Sequence, residues 1–494
     1  MNFLQKARIS WLALALTLAL PVLPAHAAAG PSVEAEAAVS QPSIWAMEDV
    51  AYTRLHQLAA EGLFADYQAP ATVDELNAAG LSLRQKLAER AVPATEAVYG
   101  HGETPAAALS GAAATRQDAA VVLYAAIRNS LPQAAPATGK TALYPELDAL
   151  AGDTAEAVRY VADHGILKGK QDGSLNLADP LTREQLLSLT YRTYEFVLQE
   201  SNTASKGLVW KVTGGQSPVY LLGSIHIGDI SIYPLDNLIR QAYEGSSYLA
   251  VEADVTQDAE GIQYMSEKAV FSDGSTLDKH VSAETYKLFA EKMEQAGIGE
   301  DVYQILKPWY AALLLQNLSL TEASYSANLG LDIYFLSEAA KVQKPVLQVE
   351  GIKFQVDMFD SFDAGLQEEF LLETLKATEE QAGDETGGQN GADGAANAQA
   401  QLMQSLLHYW STGNAEEFGK LIARSNEAEA GASEFNRIFW DERNNNMFRT
   451  VEKYLADSAG NSYFVVVGAG HLFGDTGVLK ELEKAGYTIE QLLD

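Results

Sequence analysis

The chain has 494 residues, of which 47% are apolar and 9% aromatic, enough to bury large cores in about three domains at ~150 residues each. Its 34 basic and 66 acidic residues give a net charge of −32, which excludes a basic nucleic-acid footprint and electrostatic docking on anionic lipid. It has no cysteine, so disulfides, thiol nucleophiles and iron–sulfur clusters are excluded, and any metal must sit on imidazole or oxygen ligands.

Residues 1–27 read as an export signal. Lys6 and Arg8 precede an apolar run from Ile9 to Leu20; Pro21 and Pro24 end it, and Ala25-His26-Ala27 is a small-x-small cleavage site. The run is too short to span a bilayer. The expectation is a cleaved, secreted protein at the cell surface or cell wall, with no transmembrane segment in the mature chain. Residues 28–41, rich in Ala, are expected to be a linker.

Residues 42–200 carry apolar positions at helical spacing in Val50–Leu63, Leu76–Leu87, Ala119–Ile127, Ala155–Ile166 and Arg183–Val197. The stretches 91–114 and 131–142 are Ala/Pro/Gly-rich connections. Within 144–198, Gly165 is placed to end one helix and Asp172-Gly173 to turn the chain. Thr182, with Gln185 three residues on, is placed to cap the next helix. The A-E-A-V before H-G-I, the D-G-S and the T-R-E-Q of this stretch together resemble an S-layer homology (SLH) unit. Weaker echoes lie at Trp45–Gly62 with T-V-D-E-L at 72–76, and at T-R-Q-D, 115–118. The resemblance implies a module that binds a secondary cell-wall polymer. Arg183 and Arg116, each near a helix N-terminus, are the candidate anion contacts.

From Val209 the texture changes. Strand-like runs at Val219–Leu222, Tyr248–Val251, Pro345–Val349 and Tyr463–Val467 alternate with helical segments at 283–296, 308–320, 331–341, 366–380, 434–456 and 476–485. This pattern predicts an α/β domain over 209–494 with a mostly parallel central sheet flanked by helices. Residues 381–401, rich in Gly, Ala, Gln and Asn, are expected to form a mobile surface insertion.

The chemistry concentrates at the ends of the predicted strands. Gly223-Ser-Ile-His226 and Gly468-Ala-Gly-His471 are two copies of strand, glycine, x, x, histidine, in a chain with only eight histidines. Each glycine is expected to let the chain turn tightly so that the imidazole points back over the sheet. Glu252 and Glu350 end two further strands. In open α/β sheets, sites lie at the carboxyl ends of the strands. Two histidines and a carboxylate form a common open metal set, and a second carboxylate can serve as a general base. Mn²⁺, Co²⁺ and Zn²⁺ all suit such ligands. The plain alternative for each carboxylate is a solvated strand end. No G-x-S-x-G, P-loop or H-E-x-x-H occurs.

These residues also carry a resemblance. LLGSIHIG, YLAVEAD, LKPWYAALLL, GLDIYFLSEAAKVQKPVLQVEG, the ERNNNM helix and FVVVGAGHLFGDTGVLKELEKAGY are similar to the TraB/GumN family, which includes the Tiki-type metal-dependent proteases. It implies a metal and catalytic centre at His226, His471 and Glu252, with Glu350, Arg443 and Asp332 on further family positions. Arg443 could polarise a carbonyl, or merely pair with Asp441 or Glu442 on a helix surface. Asp332 could serve the site, or merely cap its helix. Trp309 and Trp440 are expected in the core, and His56 and His164 on partly exposed helices. The functional expectation is a wall-associated, metal-dependent hydrolase acting on a peptide or protein substrate. Its rivals are a non-catalytic peptide- or pheromone-binding protein using the same cleft, and an envelope protein with a degenerate domain.

Overall fold

A computed structural model describes residues 41–90, 111–132, 144–169, 173–322, 326–382, 393–428 and 433–493. The expected signal at 1–27, and the linker at 28–41 except its last residue, lie outside the described residues. The chain separates into two compact units, with the boundary between Ala204 and Ser205.

The N-terminal unit is built from the helices Met47–Leu55, Val73–Glu89, Arg116–Ser130, Gly152–Asp163 and Arg183–Glu200. Three of them begin with the same device. Thr72 with Glu75, Thr115 with Asp118 and Thr182 with Gln185 each form a reciprocal capping box. The residues just before these boxes join in a ring. Ala71 N–H donates to Leu181 O at 2.7 Å, Leu181 N–H to Ala114 O at 2.8 Å, and Ala114 N–H to Ala71 O at 2.8 Å. A second ring lies one step on, with Val73 donating to Ala112, Arg116 to Asp179 and Arg183 to Ala69. Ala71, Ala114 and Leu181 are fully buried, so every polar backbone group at this hub needs the partner that the ring provides. Gly165, at φ +69°, follows the Gly152–Asp163 helix, as its sequence position predicted.

His56 departs from expectation. It is buried at 8% exposure, with its ring 4.8 Å from that of Tyr194 and 6.1 Å from that of Tyr191. Burial, helped by the positive charges of Arg90 and Lys86, pushes its pKa down to about 3.

The C-terminal unit holds a six-stranded sheet in the order β4-β3-β5-β2-β1-β6. The strands are β1 Leu208–Thr213, β2 Val219–Ser224, β3 Tyr248–Val251, β4 Val346–Gln348, β5 Tyr463–Gly468 and β6 Thr488–Gln491. β4, β3, β5 and β2 run parallel, whereas β1 pairs antiparallel with β2 and β6 antiparallel with β1. The sheet is therefore mixed, not mostly parallel. The five residues between β1 and β2 permit a hairpin, while a parallel crossover needs a dozen or more. β5, central and VVV-rich, is buried at every position. Phe335 of the Leu331–Val342 helix packs on it, with its ring 4.9 Å from that of Phe464. Trp309 is fully buried, as expected, and stacks on Phe359 at 5.8 Å.

The expected insertion at 381–401 is corrected in part. The helix Ala364–Ala382 enters it, and the helix Asp393–Ser411 begins within it; residues 383–392 lie outside the described residues. The Ala-Gln-Ala-Gln run that looked loop-like has good helix propensity.

The buried histidine gives a pH test. The folded pKa of His56, about 3, lies below the unfolded value of 6.5, so the unfolded chain binds the proton first. Its contribution is complete above pH 6.5 and is lost as pH falls toward 3, at roughly 1.4 kcal/mol per pH unit. Thermal unfolding of a fragment 41–204 should weaken steeply below pH 6.5, and His56→Gln should flatten that slope. An unchanged slope in the variant would refute the assignment.

Candidate active site

The register of three parallel strands assembles the site. β2 pairs Ser224 with Gly468 of β5, and β5 pairs Val466 with Val251 of β3. Residues just past these strand ends therefore share one edge of the sheet: His226 after β2, Glu252 after β3 and His471 after β5. β4 extends the edge, with Glu350 and Gly351 N–H groups donating to Glu252 O at 3.0 and 2.8 Å. His226, Glu252, Glu350, Arg443, His471 and Asp332 are thus brought together. Arg116 and Arg183 belong to the other unit. Arg116 is buried and donates to Leu175 O and Lys168 O, each at 2.8 Å. Arg183 pairs with Glu75 at 2.7 Å and donates to Ala65 O.

Both imidazoles are held the same way round. His226 Nδ1 is 2.6 Å from Asp332 Oδ2, and His471 Nδ1 is 2.7 Å from Asn444 Oδ1. A carboxylate and an amide oxygen can only accept, so each Nδ1 carries a hydrogen, and in the neutral ring Nε2 holds the lone pair. Neither Nε2 has a hydrogen-bond partner, although both are buried. The two rings differ in basicity. Burial opposes protonation of His226, but the charge and hydrogen bond of Asp332, aided by Glu252, outweigh it and raise the pKa. His471 lies well below the ordinary value through burial, with Arg443 and His226 adding to the effect.

The glycines of the two motifs do a different job from the expected turn. Neither Gly223 nor Gly468 has positive φ. A Cβ on Gly468 would lie 2.7 Å from His226 Nε2, 3.2 Å from Glu252 Oε1 and 3.5 Å from His471 Cδ2. The missing side chain is the space around which the three groups stand. Gly223 is needed for close packing, since its Cβ would meet Ala469 and Leu472 at 3.1 Å.

Arg443 underpins the carboxylates. It is 1% exposed, donates to Glu252 Oε2 at 2.8 Å and makes three bonds of 2.8–3.1 Å to Glu350. The surface pairing with Asp441 or Glu442 that the sequence allowed is therefore not its position. Burial opposes its charge, but Glu350 and Glu252 more than compensate and raise its pKa. Glu350 moves up, because burial outweighs the pull of Arg443. Asp332 receives His226 and Ser224, so it does more than cap its helix. Burial opposes its ionisation, yet the charge and hydrogen bond of His226 hold its carboxyl below the usual range. Trp440 lies in a π-helical turn, Arg437–Glu442, just ahead of Arg443 and packs its ring 4.8 Å from His471.

Asn444, Gln355 and Gly330 were not singled out from the sequence. Asn444 sits beside Arg443 in ERNNNM, and its neighbour was the available signal. Gln355 bridges Glu252 and Glu350 at 3.3 and 3.2 Å. Gly330, in GLD, leaves room for the carbonyl of His226, which a Cβ would overlap.

Residues 208–491, more than half of the chain, match the TraB/PrgY/gumN family. The chain belongs to that family. It is 26% identical to the uncharacterized protein YbaP of Escherichia coli K12 over 263 residues, covering 53% of this chain and 86% of YbaP. It is 22% identical to Metalloprotease TIKI1 of Danio rerio over 303 residues, 55% of this chain and 60% of TIKI1. With Metalloprotease TIKI2 of Xenopus tropicalis it shares 21% identity over 349 residues, 64% of this chain and 65% of that protein. No solved structure matches. Within this TraB/PrgY/gumN domain, no three His, Cys, Asp or Glu among the described residues stand in a closed metal-binding geometry. His226 Nε2 and Glu252 Oε1 are 3.8 Å apart, against about 3.4 Å for two donors of one tetrahedral ion. The two buried, unpartnered Nε2 atoms and the space over Gly468 are the features here that could receive an ion.

Removing the guanidinium should expose its role. Arg443→Met leaves two buried carboxylates without their counter-charge and should cost roughly 3–5 kcal/mol in denaturant unfolding. Adding Glu350→Gln should restore part of that loss. An unchanged unfolding midpoint in Arg443→Met would contradict the account.

Proposed function

We propose that this protein is an exported, wall-associated hydrolase whose TraB/PrgY/gumN domain cleaves peptide bonds with the help of a divalent ion. The observation that carries the reading is that His226 and His471, each with a buried Nε2 that has no hydrogen-bond partner, stand with Glu252 around the space above Gly468. The resemblance to proteins named metalloproteases points the same way. His226 and His471 would hold the ion through Nε2 and Glu252 through Oε1. Imidazole suits Zn²⁺ and Co²⁺ and carboxylate also suits Mn²⁺, so the donors do not choose among them. Such an ion acidifies a bound water and polarises a carbonyl.

The protein's own groups do the rest. Asp332 and Asn444 fix the rings with their lone pairs inward. Arg443, screened from solvent behind Glu252, orients that carboxylate rather than touching substrate, and Glu350 holds Arg443 in turn. Hydrolysis adds one water across the amide. The water oxygen forms the new C–O bond, the C–N bond breaks, and one water proton ends on the departing amine. Asp332 is occupied by His226 and Ser224, and Glu252 by Arg443 and the Gly468 N–H, so both carboxylates serve to hold and orient the site.

Metal analysis of the purified protein should find a stoichiometric ion. His226→Ala and His471→Ala should each lose most of it, together with peptide hydrolysis, while circular dichroism stays unchanged. Full metal content and activity in both folded variants would sink the assignment. Bound metal without turnover of any peptide would favour the binding-protein rival.

The N-terminal unit is read as the wall anchor. Its support is the SLH-like stretch at 144–198 and the threefold recurrence of capped helices around one hub. Arg183 stands at one junction of the ring, paired with Glu75 across 108 positions of sequence. A fragment 28–205 should sediment with purified cell walls, and Arg183→Ala should weaken this without unfolding the fragment. Sedimentation of the 205–494 fragment instead would overturn the anchoring role.

A further inference from the structure

Asn444 holds only one edge of His471. A ring tethered at its Cβ and at Nδ1 can still roll about the line joining the two, and that roll swings Nε2 out of place. The bond to Asn444 is a neutral one, whereas the carboxylate of Asp332 gives His226 the stronger, charge-assisted kind. His471 therefore needs a second hold more than His226 does.

Trp440 is placed to supply it. Its ring lies 4.8 Å from that of His471, tilted by 49°. Phe439 stands against the indole at 5.1 Å and 80°. Phe439 and Trp440 are both buried, so the indole has little room to draw back. The chain beside His471 is cut to fit it. Gly470 does not have positive φ, so its backbone conformation does not call for glycine. A Cβ there would lie 2.9 Å from Trp440 Cη2 and 3.0 Å from Cζ3, too close for both to stay. The first motif carries Ile225 at the corresponding place, directly before its histidine.

We propose that Trp440 is a positioning residue for His471, and that residue 470 is glycine so that the indole can seat against the imidazole. The proposal rests on the ion-binding reading of this site and adds the pair of residues that fixes its second ring. The contact sets where Nε2 points, so its loss should show in ion binding even where the fold survives. Groups that orient a metal-binding ring from behind are worth about tenfold or more in ion affinity.

The test uses the full-length protein with Trp440→Leu, Trp440→Phe, Gly470→Ala and the double variant Gly470→Ala/Trp440→Leu. Zn²⁺ affinity is measured by competition with a chelator, and the isotope-labelled histidine rings are followed by NMR without the ion. Circular dichroism and denaturant unfolding on the same samples report the fold. Trp440→Leu and Gly470→Ala should each weaken Zn²⁺ binding by about tenfold or more. Each should move the ring signals of His471 and leave those of His226 in place. Trp440→Phe, which keeps an aromatic face, should recover most of the affinity lost in Trp440→Leu. In the double variant the new Cβ no longer meets an indole, so the two losses should not add. Additive losses would overturn the proposal. So would a folded but destabilised Trp440→Leu with unmoved Zn²⁺ affinity and unmoved His471 signals, since the indole would then only fill the core. Should Trp440→Leu not fold, Gly470→Ala decides by the same readouts. If the parent protein binds no Zn²⁺, the ion-binding reading fails by itself. The ring signals then decide the proposal: movement of His471 in both single variants sustains it, and unmoved signals remove it.

Discussion

Arg443 has five N–H donors and 1% of its side chain exposed, so its acceptors must come from the protein. It meets that need with Glu252 at the end of β3 and Glu350 beyond β4, and this fixes the spacing of two strand ends against the helix Arg443–Leu455. Each carboxylate depends equally on the guanidinium, since a buried charge without a partner is costly. Gln355 ties the two carboxylates together from another helix. The result is a rigid backing from which Glu252 turns Oε1 toward His226 and the backbone N–H of Gly468, which donates to it at 2.5 Å. The histidines follow two strands that are hydrogen-bonded neighbours, His226 two residues past β2 and His471 three past β5.

The two imidazoles are geometric equals and chemical opposites. A carboxylate behind His226 favours a positive ring; an amide behind His471, with Arg443 close by, disfavours one. Both Nε2 atoms are buried without a hydrogen-bond partner. The site thus pairs one basic ring with one reluctant one.

The parallel half of the sheet was legible because its strands are short apolar runs, separated by helices and ending in Gly, His or Glu. β1 and β6 were not. LVWKVT follows a long helix and has a lysine in its middle, and TIEQ is a polar edge strand whose exposure alternates with no apolar run to mark it. His226, Glu252 and His471 could be named because few histidines exist and strand ends are informative. Their partners could not. Nothing about Asn444 distinguishes it from the two asparagines after it until the helix is in place, and Gly468 reveals its purpose only when the atoms around its absent Cβ are known. The burial of His56 was likewise hidden, because a histidine at a helix end reads as exposed until Tyr191 and Tyr194 close over it.

In the N-terminal unit the repeats close on themselves. In an open array each repeat touches its neighbours in sequence, stability accumulates along the chain, and an end can fray while the middle survives. Here Ala71 donates to Leu181 and Arg183 to Ala69, so the first and third repeats are as firmly joined as either is to the second. Such a ring has no end from which to fray. None of the three can be removed without opening buried hydrogen bonds on both of its sides. Removing any one of the three would strand backbone donors and acceptors on both neighbours, so the unit stands or falls as a block.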